Sequence, residues 1–75
     1  MFNINDYVFI RPTGDPMIDC FLNQQMTIVD IIPVNDGGYR YTQYMLINAT
    51  GEQVRVNDNE VQTPFSHEMK EYRNA

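Results

Sequence analysis

The chain has 75 residues, 43% of them hydrophobic and 20% charged, and a formal net charge of −5. A single domain of this size buries only about 60% of the surface of its unfolded chain, which excludes a deep cavity for a large cofactor, and the composition excludes a disordered chain. The charge is uneven: Glu68 and Glu71 cancel Lys70 and Arg73 near the end, so the excess lies in residues 1–65, where eight acids face only Arg11, Arg40 and Arg55. Such a surface repels phosphate backbones and favours a basic protein partner.

In chain order, Val8 and Ile10 alternate with Tyr7, Phe9 and Arg11, which predicts a first strand over 7–11; Phe2 and Ile4, in the lead-in, share the parity of Val8. Tyr7 and Phe9 then point outward. Pro12, Gly14 and Pro16 break the strand, and a long connection over 12–25 carries the apolar cluster Met17, Ile18, Cys20, Phe21 and Leu22, expected to fold back over the end of a barrel. Long structured loops of this kind tend to be functional.

A second strand runs from Met26 to Ile32 and is expected to end at Pro33; Asn35-Asp36-Gly37-Gly38 is a hairpin turn. The third strand, Tyr39 to Asn48, has no clean face. Burying Thr42, Tyr44 and Leu46 leaves Tyr39, Tyr41, Met45 and Ile47 outside, whereas the opposite register buries Gln43 and exposes Tyr44 and Leu46. After a turn at 49–51, Glu52 to Val56 makes a fourth strand with Val54 and Val56 inward. Residues 57–60 read as a single helical turn, and Val61 to Thr63 as a short closing strand. Pro64 can open a helix over about 65–72, in which Phe65, Met69 and Tyr72 share a face.

No catalytic or metal-binding constellation emerges. Ser66, His67 and Glu68 are consecutive and do not converge on one point, and Asp15 and Asp19 fall short of the six or more oxygens that calcium needs. Gly37-Gly38 lacks the lysine and the following helix of a phosphate loop. Cys20 is the single cysteine, so no intrachain disulfide forms, and it reads as a small core hydrophobe. No cofactor is expected. There is no run of about 18 apolar residues and no secretory leader pattern, so the expectation is a cytoplasmic protein in which the sequon Asn48-Ala49-Thr50 is idle.

Five short strands with tight hairpins and one long early loop resemble an SH3-like small β-barrel. The resemblance rests on Asp6-Tyr7-Val8, Ile28-Val29-Asp30-Ile31, Gly51 to Val56 and Asp58-Asn59-Glu60-Val61, and covers about residues 5–63. Asn5 stands where a glycine often precedes the aspartate, and the chain has no tryptophan, so the proline-peptide groove of the SH3 domains is not carried over. The resemblance implies a small barrel and a binding scaffold in place of an enzyme; with the helix read from the residues, the expected fold is mainly β, a five-stranded SH3-like barrel over 1–63 with a short terminal helix and tail over 64–75. In size, acidity and lack of catalytic residues the chain is also similar in kind to the small acidic proteins by which bacteriophages inhibit or redirect host machinery.

The candidate partner-binding residues are therefore Tyr7, Phe9, Tyr39, Tyr41, Tyr44 and Phe21 as apolar anchors, with Asp15, Asp19 and Asp36 as the acidic surround. The expected partner is a basic protein such as RNA polymerase or another nucleic-acid enzyme. Two other uses of the same residues are a single-stranded nucleic-acid surface built on Tyr39, Tyr41 and Arg40 or Arg55, disfavoured by the charge, and self-association as a homodimer or structural subunit.

Overall fold

The computed structural model describes residues 2–64. The fold is mainly β: strands β1 (Tyr7–Ile10), β2 (Met26–Asp36), β3 (Tyr39–Ile47), β4 (Gln53–Asn57) and β5 (Val61–Gln62), with one short helix α1 (Pro16–Asp19) and a 3-10 turn (Asp58–Glu60). The strands form one antiparallel sheet in the order β4-β3-β2-β1-β5. The expected closed barrel is not formed: β4 and β5 lie at opposite ends of this order, and the five strands make an open sheet. The 3-10 turn between them takes up the chain, and β5 is too short to pair beyond Phe9 and Ile10. The expected helix over 65–72 lies outside the described residues.

The core comprises Val8, Ile10, Phe21, Met26, Ile28, Tyr44, Leu46, Val56 and Val61, with Phe2, Ile18, Leu22, Ile31 and Val54 packed against it. Directly opposed residues of an antiparallel pair share a face. The pairings Ile28 with Leu46, Leu46 with Val54 and Tyr44 with Val56 therefore put the apolar parity of three strands on one side. This selects the register of β3 that buries Tyr44 and Leu46.

That alignment needs an irregularity in β2. By strict alternation Asp30 would share the inward parity of Met26 and Ile28. A bulge between Ile28 and Asp30 inserts Val29 without a partner, so Asp30 faces Met45 on the outside and Ile31 faces Tyr44 on the inside. The bulge keeps a carboxylate out of the core, where an unpaired charge is costly.

Several local expectations are corrected. β2 does not stop at Pro33 but continues to Asp36, because β1 pairs only with Met26 and Thr27 and leaves the rest of β2 an edge that needs no proline N–H. Ile4 is half exposed: Asn5 has φ 75, in the left-handed region, and the turn there throws Ile4 off the inward parity while Phe2 still reaches the core. Cys20 is exposed, following the short helix that turns Ile18 and Phe21 inward.

The long loop is held by its own acids. Asp15 caps α1 by accepting from Met17 N at 2.9 Å, with Pro16 at the first helical position. Asp19 closes the loop by accepting from Thr13 Oγ1 at 2.7 Å, Thr13 N at 2.9 Å and Gly14 N at 3.0 Å. These bonds hold the Asp19 carboxyl below the usual aspartate range, the Thr13 hydroxyl contributing most.

Candidate interaction surface

Gly37 and Gly38 have φ of 57 and 91, so the hairpin turns in the type I′ form that only glycine and a few polar residues adopt easily. The two-residue loop fixes the pairing of everything behind it. Tyr39 faces Asp36, Tyr41 faces Val34, and Gln43 faces Ile32. Tyr39 and Tyr41 therefore stand together on the outer face of the sheet, 80% and 43% exposed, next to a carboxylate at the hairpin tip. Further along the same face come Met45, flanked by Asp30 and Arg55, and Ile47, flanked by Thr27 and Gln53.

The nine candidate residues divide accordingly. Tyr39, Tyr41 and Asp36 are brought together at the hairpin. Tyr7 lies on the same outer face, paired with Thr27, at the far end of the ladder, and is 58% exposed; Phe9 of β1 is half-buried. Asp15 and Asp19 are engaged in the loop. Tyr44 and Phe21 belong to the core and are withdrawn as surface anchors: Tyr44 has the parity of Leu46, and Phe21 follows α1 into the interior.

Tyr44 is tied down twice. Its ring meets Phe2 edge-on at 5.9 Å, and its hydroxyl donates to Asp58 Oδ1 at 2.6 Å. Burial, then the bond to Asp58 and its negative charge, push the phenol up to about 12. The bond anchors the 3-10 turn against β3. Between that turn and the hairpin stem lies an open cleft of about 520 Å³ lined by Arg40, Tyr41, Thr42, Asn57, Asp58 and Asn59.

Val34, Ile32, Met45, Thr42 and Asp58 were not among the sequence candidates. Counting cross-strand pairs outward from a Gly37-Gly38 loop would have placed Val34 against Tyr41 and Ile32 against Gln43. Nothing local in the sequence marks the cleft, which depends on where β4 leaves the sheet.

Among the described residues, no group of three or more metal-ligating side chains is assembled, and no helix is long and apolar enough to cross a membrane. Comparison with known protein families, with curated proteins and with solved structures finds no match.

Proposed function

We propose that the chain is a non-enzymatic protein-binding module on an SH3-like but open five-stranded scaffold, and that its acidic surface and exposed tyrosines dock a basic surface of a larger protein. The scaffold reading is supported by the strand order, the long loop after β1 and the 3-10 turn between the last two strands. Fold alone does not give function.

The observation that carries the reading is the pairing of Tyr39 and Tyr41 on one exposed face, backed by Val34 and Ile32 and edged by Asp36. Aromatic residues with apolar backing and a polar rim are the usual composition of a protein contact. With eight acids against three arginines over residues 1–65, the long-range field attracts a cationic partner. Proteins that bind nucleic acid carry such surfaces, so a bacteriophage-type modulator of RNA polymerase or a similar host enzyme is the role that fits.

The test is capture of purified RNA polymerase by the immobilised chain over a salt series, beside a Tyr39→Ser/Tyr41→Ser double variant. Capture that weakens with salt and is lost in the variant supports the reading. Equal capture by both chains, or none at low salt by RNA polymerase and a panel of basic nucleic-acid enzymes, overturns it.

One observation favours a second reading: Arg55 faces Met45 on the same outer face as the two tyrosines, an arrangement suited to stacking single-stranded bases. The net charge opposes it. Micromolar, salt-sensitive binding of a single-stranded oligonucleotide at low salt would promote this reading over the first.

A further inference from the structure

A sheet edge exposes backbone donors and acceptors that either recruit another strand or must be blocked. Asp36 and Tyr39 close a two-residue loop and so form a hydrogen-bonded pair, after which bonded and non-bonded pairs alternate along the ladder. It follows that the backbone groups of Ile31, Pro33 and Asn35 on β2, and of Arg40, Thr42, Tyr44 and Leu46 on β3, point away from the hairpin partner. The bonds from Ile28 N to Asp6 O at 3.0 Å and from Asn48 N to Glu52 O at 3.0 Å continue the same alternation on the two sides.

The two free edges of the hairpin differ. On β2 the edge is blunted: the Ile31 N–H is taken by Asp30 Oδ1 at 2.9 Å, and Pro33 has no N–H. On β3, β4 covers only Gln43 to Ile47 before the chain turns away after Asn57 into the 3-10 turn. The non-bonded pair Gln43–Asn57 is closed on the hairpin side by the Asp58 N–H on the Thr42 C=O, so the edge beyond it presents the N–H of Thr42 and the N–H and C=O of Arg40 to the open cleft. The β2 edge lacks two of its three outward donors, whereas the β3 edge keeps its donors at the step where a strand is missing.

We propose that an extended basic peptide segment of the partner adds as a short strand to the β3 edge at Arg40–Thr42, in line with β4. The proposal rests on the protein-binding reading above and names its mode. Up to three backbone hydrogen bonds are offered, two by Arg40 and one by the N–H of Thr42. Side chains of the added strand alternate between faces. Those on the outer face lie beside Tyr39 and Tyr41, where lysine or arginine gains contact with the exposed rings and with the charge of Asp36. Those on the other face lie toward Arg40, Thr42 and Asp58, where a small polar or β-branched residue fits and a second cation does not. The net charge of −5 argues against a second copy of the chain as occupant, since two like-charged edges would be brought together.

The test uses the full chain, ¹⁵N-labelled, and a seven-residue amidated peptide alternating lysine and threonine, with two comparison peptides. One is N-methylated at alternate residues, which removes the edge-facing donors but keeps every charge; the other carries glutamate for lysine. The expected result is saturable binding of the first peptide, slowed exchange of the Arg40 and Thr42 amides, and affinity weakened by about tenfold or more on N-methylation. The edge proposal is overturned by no binding, by N-methylation without effect, or by amides of Arg40 and Thr42 already protected in the free chain. Strand addition in which the glutamate peptide binds as well as the lysine peptide leaves the edge standing and overturns the basic-partner reading.

Discussion

The hydroxyl of Tyr44 donates to Asp58 Oδ1 at 2.6 Å, and this bond joins the middle of β3 to the 3-10 turn that forms one wall of the cleft. Tyr44→Phe keeps the ring against Phe2 and removes only the bond. The expected cost is about 1 to 3 kcal/mol in urea unfolding, with the amides of 58–60 exchanging faster than those of β1. Unchanged stability together with unchanged exchange in the turn would show that the bond contributes nothing.

Burial of the Tyr44 phenol, together with the same bond, sets an alkaline limit. Tyr44 titrates in the folded chain at about 12, above the value of 10.0 for a free phenol. The unfolded chain therefore loses this proton first, so stability falls as pH rises from about 10 to about 12 and is insensitive to this group below that window. Melting temperature followed from pH 8 to 12 should decline in the wild type, and the part of the decline due to this group should be missing in Tyr44→Phe.

The Asp19 carboxyl has the opposite sign. Its folded-state value lies below 3.8, so its contribution is present at neutral pH and is lost as pH falls below about 4. The expected signature is local: faster exchange of the Thr13 and Gly14 amides at acid pH, and the same loosening at neutral pH in Asp19→Ala, with the β2–β3 ladder unaffected. Loss of protection across the whole sheet at once would contradict a loop-only role.

Leu46 is fully buried between Ile28 and Val54, whereas Met17 is 78% exposed on the loop. Leu46→Ala should cost about 2 to 5 kcal/mol, a large share of the stability of so small a domain, while Met17→Ser should stay within about 0.5 kcal/mol. Denaturant midpoints of the two variants measured side by side check the assignment of faces.

Asp30 and Pro33 guard the β2 edge, and removing both guards should expose it. The Asp30→Ala/Pro33→Val variant is expected to self-associate at concentrations where the wild type has a lower mass by light scattering. Identical masses at millimolar concentration would show that the edge is protected by something other than these two residues.

Much of the strand plan was legible in the sequence because it depends on local chemistry. Alternation at Val8 and Ile10, the Gly37-Gly38 turn, and the inward parity of Val54 and Val56 each need only neighbouring residues to be read. The candidate site was half legible: Tyr39, Tyr41 and Asp36 stand together as the turn implies, while Tyr44 and Phe21 went to the core. Their placement depends on contacts across strands, which periodicity in one segment does not encode.

By itself the sequence determined a small acidic chain of five strands with a glycine-turned aromatic hairpin, because composition, parity and turn chemistry are properties of adjacent residues. Only the tertiary structure decided which tyrosines face outward, through the pairing of Tyr44 with Ile31 and Val56 and the bulge at Val29 that turns Asp30 away from the core. It also decided that the sheet stays open and that β4 stops short of Arg40 and Thr42. The length of a ladder is set by where the neighbouring chain turns away, and no residue within β3 carries that information.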